Sequence, residues 1–180
     1  MRVLLSLLLI SSAVVAKSDK NMPVQLTIES QDYYLCGEHT IKYAYVIKIA
    51  YVGLYLRDCE IDKQSVLNID DKLIRFNYQV DVKAKVFIDA AEEFFMKNLK
   101  QSVSPKEIEE MHRFNNYYEN IQASEYYDLY HQAGSKLKLY KNKKLLGDSE
   151  IQGFTFKYFN IWFGEYPAVK PLKKSFDRAI

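Results

Sequence analysis

Tyr43–Leu56 reads YAYVIKIAYVGLYL. The stretch is rich in Tyr, Val and Ile, which suit a pleated surface, and it holds no Pro and a single Gly. At a period of two, one face carries Tyr43, Tyr45, Ile47, Ile49, Tyr51, Gly53 and Tyr55. The other carries Ala44, Val46, Lys48, Ala50, Val52, Leu54 and Leu56. Apart from Lys48 both faces are apolar, the pattern of a strand covered on both sides. A helix of this length would crowd β-branched and aromatic side chains on every side. The stretch is read as the long central strand of a sheet.

The surrounding composition narrows the class. A chain of 180 residues that is 48% hydrophobic can bury a sizeable core. Its 25 basic residues against 23 acidic ones give a net charge of +2, and they are scattered along the chain, so no nucleic-acid partner is expected. No metal-ligand spacing, nucleophile elbow, P-loop or dinucleotide fingerprint occurs, and His39, His112 and His131 lie far apart, so no cofactor and no metal site is expected.

The N-terminus reads as a targeting segment. Arg2 precedes the short apolar run Val3–Ile10, and Val14-Val15-Ala16 offers small residues for cleavage. The run is too short for a membrane span. The expected organisation is a signal peptide over 1–16, a flexible leader over 17–23 and one domain over 24–180, with a periplasmic or secreted location and no stable membrane span after cleavage. Export would place Cys36 and Cys59, which flank the central strand, in an oxidising compartment. They read either as one bridge across the ends of the strand or as two buried thiols that never meet.

Along the rest of the chain, Val24–Glu29 is a strand, Ser30-Gln31-Asp32 a turn, Tyr33–Cys36 an extended run, and Gly37–Thr40 a break. One helical turn is expected around Gln64–Leu67. Leu73–Val80 alternates, with Ile74, Phe76, Tyr78 and Val80 on its chiefly buried face. Asp81 stands where an N-cap belongs, ahead of a helix with the stripe Val86, Phe87, Ala90, Ala91, Phe94, Phe95 and Leu99. Ser104-Pro105-Lys106-Glu107 spells a capping box for a second helix, whose stripe runs from Ile108 through Met111 to Ile121. Tyr126–His131 is a strand, Lys136–Lys141 and Lys144–Gly147 pair across Asn142-Lys143, and Gly153–Phe163 and Val169–Ala179 are helices. Strands, two helices, a hairpin and two helices make a segregated α+β domain.

These residues resemble those of chalcone isomerase-like proteins, most closely the exported bacterial branch. Leu35-Cys36-Gly37, Lys42 and Ile47–Leu56 look like that family's signature. Ile161–Pro167 with Leu172–Ser175 is similar to its C-terminal helix pair, and the hairpin Leu137–Gly147 fits the same region. The resemblance implies an open-faced β-sandwich, a large antiparallel sheet covered by a helical layer with a ligand cleft between. It also implies where catalysis would sit. The isomerases' phenolate-binding Arg falls on Lys42, their Thr on Ala50, and their Tyr and Asn loosely on Val82 and Asp89. Lys42 keeps a charge without the planar fork, and Ala50 cannot polarise a ketone.

The expected function is therefore that of an exported non-catalytic member that binds a small amphipathic or fatty-acid-like ligand in the cleft. No residue is assigned a catalytic role. Lys42, Lys48 and Tyr51 are the expected ligand-binding residues. Two alternatives stand beside this reading: a structural or partner-binding protein whose cleft is filled by its own side chains, and an isomerase of flavonoid-like substrates.

Overall fold

The computed structural model describes residues 22–61 and 64–180. The signal peptide read over 1–16 and most of the leader lie outside the described residues. Met22, at the end of that leader, is buried, and Tyr55 donates a hydrogen bond to the Pro23 carbonyl at 2.8 Å.

Seven antiparallel strands form one sheet in chain order: β1 (Gln25–Ile28), β2 (Gln31–Tyr43), β3 (Ile47–Leu56), β4 (Lys72–Tyr78), β5 (Tyr126–His131), β6 (Lys138–Lys141) and β7 (Lys144–Asp148). Helices α1 (Ala84–Leu99) and α2 (Pro105–Asn115) are inserted between β4 and β5. Helices α3 (Phe154–Phe163) and α4 (Lys170–Phe176) follow β7. This is the segregated α+β architecture expected from the order of patterns, with the helices layered on one face of the sheet.

The stretch Tyr43–Leu56 is not one strand. β3 begins at Ile47, and Tyr43 closes β2. Between them the chain reverses through Ala44 and Tyr45, both at positive φ (47° and 64°), and the Val46 N–H donates to the Tyr43 carbonyl. Turns of this kind ordinarily use Gly, Asn or Asp. With Ala-Tyr in their place, the sequence carries no turn signal here. Coverage on both faces holds for Ala50–Leu56, whereas Tyr43–Lys48 is exposed.

The break expected at Gly37–Thr40 is likewise absent, since β2 runs through it. Register shifts lie at both ends of this stretch. Leu35 pairs with Tyr55 but Gly37 with Leu54, so Cys36 is an extra residue; Ile41 pairs with Ala50 but Lys42 with Lys48, so Ile49 is another. Each bulge moves the inside/outside pattern by one residue. Before Cys36 the odd-numbered Tyr33 and Leu35 face away from the helices. After it, Gly37 faces α4, where an added Cβ would lie 3.0 Å from the Ala179 Cβ and 3.3 Å from Phe176. A disulfide joins Cys36 to Cys59, so of the two readings of the cysteines the bridge is the one that forms.

Smaller corrections follow from local geometry. The first turn lies on Glu29 and Ser30, both at positive φ, not on Ser30–Asp32. β4 is buried on both faces, because Leu73 and Arg75 also lie under cover. Asp81 does not cap α1: its carboxylate accepts from Ala123 N–H, while Asn120 accepts from Ala84 N–H at 2.9 Å. The capping box of α2 forms as expected, with Ser104 and Glu107 each accepting from the other's backbone. α2 ends at Asn115, short of its expected reach, yet Tyr118 and Ile121 stay in the core.

The sheet curls. Its helix-side face carries the main core, from Val52, Leu54 and Ile74 to Phe95, Phe114, Phe154 and Phe159. The opposite face holds a second cluster of Met22, Tyr33, Tyr55, Leu73, Tyr130 and Tyr140. Glu29, in the β1–β2 turn, reaches across that face to the hydroxyl of Tyr140 at 2.7 Å and the ammonium of Lys138, both on β6. First hairpin and sixth strand thus meet over the second cluster.

Candidate functional site

Between the sheet and the helices lies an apolar pocket of about 240 Å³. Ile41 and Ile49 come from β2 and β3, Phe76 and Tyr78 from β4, and Tyr127 and Leu129 from β5. α1 adds Val86, Phe87, Ala90 and Ala91, and α3 adds Ile161 and Trp162. Ile49 reaches this wall because it is the bulged residue: strict alternation would have sent it to the other face.

The aromatic walls are packed edge to face, Phe87 against Tyr127 at 5.4 Å and Tyr118 against Tyr127 at 5.2 Å. Their polar ends are tied back into the protein. Tyr127 donates to the Glu119 carbonyl at 2.6 Å, and Tyr118 meets Tyr158, which donates to Asn115 at 2.7 Å. Burial holds the phenols of Tyr78, Tyr118 and Tyr127 above the usual tyrosine range, so these walls are uncharged at neutral pH.

The pocket adjoins a broader groove of about 940 Å³, and Ile41, Ala168 and Val169 line both. Lys42, Lys97 and Lys170 stand along the groove with His39, and its lining includes no carboxylate. Burial lowers the His39 pKa, which leaves the lysines as its cations at neutral pH. The far wall, Tyr166–Pro167, is fastened to α1 by Asn98. Its amide donates to the Phe94 and Tyr166 carbonyls and its oxygen accepts from Tyr166 N–H at 2.9 Å. Gly164 makes this possible, because a Cβ there would fall 2.3 Å from the Asn98 oxygen.

The structure separates the three residues expected to bind ligand. Lys42 lines the groove. Lys48 pairs with Lys42 across the strands, and its ammonium donates to the Tyr51 hydroxyl at 3.0 Å; Tyr51 packs against the second cluster on the face away from the helices. Neither Lys48 nor Tyr51 lines the pocket or the groove. Sequence reasoning missed Lys97, Lys170 and Asn98, which do shape this region, because nothing local marks them. α1 and α4 bring them to the mouth from far along the chain.

The positions matched to the isomerase residues carry no acid, base or hydroxyl into the pocket. Ala50 is fully buried, and Val82 is an apolar wall residue. Asp89 is exposed on α1 in an ion pair with Lys85 at 2.7 Å. Among the described residues there is no group of side chains that could hold a metal ion, and no helix is long and apolar enough to cross a membrane.

A family sequence profile described as chalcone isomerase-like matches residues 15–176. The chain belongs to the chalcone isomerase-like family. No protein of curated function matches it. Among solved structures it is similar to the crystal structure of a fatty-acid binding protein of Arabidopsis thaliana. The match covers 88% of this chain and 92% of that one, with a TM-score of 0.64 and 16% sequence identity. At that identity the likeness speaks for the chalcone isomerase-like fold.

Proposed function

We propose that this protein is an exported, non-catalytic member of the chalcone isomerase-like family that binds a single-tailed amphiphile with an anionic head, such as a fatty acid. The tail would lie in the pocket among Phe76, Phe87, Tyr127 and Trp162, and the head at the mouth among Lys42, Lys97 and Lys170. The observation that carries the reading is an uncharged pocket that shares wall residues with a groove whose charged side chains are all cationic. An ammonium suits a carboxylate as a point charge and asks for no bidentate geometry. At about 240 Å³ the pocket falls just under the usual ligand range of about 300–1,000 Å³, so a longer tail would extend into the groove. The fatty-acid binding described for the Arabidopsis protein of similar fold supports the same class of ligand.

Two observations support the other parts of the reading. The Cys36–Cys59 bridge fits an oxidising compartment, in keeping with the secretory signal read over 1–16. Ala50 and Val82 offer no proton donor where the isomerases polarise a ketone. Titration of delipidated protein with a fluorescent fatty acid tests the proposal. Saturable binding is expected, weakened about tenfold or more when Lys42, Lys97 and Lys170 are replaced together by Gln, while the matching fatty alcohol binds both proteins alike. Absence of saturable binding, or turnover of a chalcone well above background, overturns it.

A further inference from the structure

The β2–β3 turn is the most exposed apolar feature of the described residues. Tyr43, Tyr45 and Val46 are 68%, 93% and 77% exposed, and Ile47 follows at 49%. Two other hairpin turns, at Glu29-Ser30 and Asn142-Lys143, take the same pair of positive φ angles with polar residues. Here Ala44 and Tyr45 occupy them, a choice that backbone preference disfavours and that a solvated turn does not need. Lys42 and Lys48 stand side by side at the base of the turn, both exposed.

We infer that this turn is a membrane-docking tip that sinks Tyr45 and Val46 into the headgroup boundary of an anionic bilayer, with Lys42 and Lys48 at the phosphates. Tyrosine rings with flanking lysines are the side chains that settle at that boundary, ring in the apolar layer and ammonium in the polar one. A bilayer fits better than a protein partner. The patch is the two-residue turn of a hairpin, and it stands at a mouth that also carries Lys97 and Lys170, with Ala44 and Tyr45 themselves lining the groove. The inference goes beyond ligand binding and does not need the pocket to be filled.

Cosedimentation of the full chain with phosphatidylcholine vesicles, with and without phosphatidylglycerol, tests it. The protein is expected to pellet with the phosphatidylglycerol vesicles. Tyr45→Ser with Val46→Ser should weaken that binding about tenfold or more, and Lys42→Gln with Lys48→Gln about tenfold or more. Both variants should keep the parent melting curve. Should the serine variant misfold, Tyr45→Trp serves instead: brominated phospholipids should quench the fluorescence that this substitution adds. Wild-type protein that stays in the supernatant with both vesicles, serine substitutions without effect, or an added tryptophan signal that brominated lipid leaves unquenched each overturns the inference. Fatty-acid binding is read without vesicles, so failure of the ligand reading and failure of the tip are told apart.

Discussion

Arg75 grips Asp128 through two hydrogen bonds of 2.7 Å, from Nε and from a terminal nitrogen, on directly opposed positions of β4 and β5. The pair faces the second cluster, under the curl of the first hairpin, and the guanidinium lies 3.9 Å from the centre of the Tyr126 ring. Both residues are nearly out of water, so removing one strands the other. Asp128→Ala is expected to cost about 3–5 kcal/mol, whereas Arg75→Met with Asp128→Leu should recover most of that loss. Urea unfolding of the three proteins checks it. An Asp128→Ala protein as stable as wild type would mean that the pair is solvated.

The Cys36–Cys59 bridge closes a sequence separation of 23 and ties the bulge in β2 to the segment beyond β3. Restricting the unfolded chain by a loop of that size is worth roughly 3 kcal/mol. Cys36→Ala with Cys59→Ala should lower the unfolding free energy by about that amount, and dithiothreitol should do the same to the wild type. Unfolding curves that coincide with and without reductant would count against the bridge in solution.

Lys72 is buried against α3, with its ammonium 4.5 Å from the centre of the Phe159 ring and donating to the carbonyls of Ile69 and Leu67. Burial pushes its pKa down to about 8. Between about pH 8 and the ordinary lysine value near 10.4 the unfolded chain would hold a proton that the folded chain has released. The Lys72 contribution to stability therefore rises with pH through that window, by at most about 1.4 kcal/mol per unit. The gap between wild type and Lys72→Met in urea midpoint should move in favour of wild type from pH 7.5 to pH 9.5. A gap that stays constant refutes the lowered pKa.

Ala90 and Ala91 leave the space that makes the pocket. Ala90→Phe would fill it from α1, at a packing cost of about 1–3 kcal/mol if the walls must shift. The variant should remain folded by circular dichroism and lose saturable binding of a fluorescent fatty acid. Undiminished affinity would place the tail elsewhere.

The helices and the later strands were legible because each carries its own periodicity and punctuation. The stripe of α1, the capping box of α2, the Asn142-Lys143 turn and the Gly164 stop all mark their elements locally. β2 and β3 were harder. Their bulges at Cys36 and Ile49 each offset the period of two, which made one continuous strand look broken, and an Ala-Tyr turn made two strands look like one. Of the candidate site, Lys42 was legible from its place in a family signature. The partners it meets at the groove were not, because Lys97 and Lys170 arrive there by helix packing. The curl that brings Glu29 to Tyr140 was also invisible, since a hydrogen bond across 111 positions leaves no trace in local pattern.

The extra residue at Ile49 has a consequence for how β3 evolves and can be engineered. Downstream of it, even-numbered positions answer to the helix-side core and odd-numbered ones to the opposite face; upstream, the even-numbered Lys48 lies with Tyr51 on that opposite face. A saturation library across Ile47–Leu56 should show free tolerance at the exposed Ile47 and Lys48 and low tolerance from Ala50 to Leu56, with the step at this one site. Deleting Ile49 would remove the extra residue from the register between β2 and β3. Pairing could then remain continuous while the apolar side chain that closes the pocket is withdrawn. A change of one codon can thus open this cleft without redesigning the sheet.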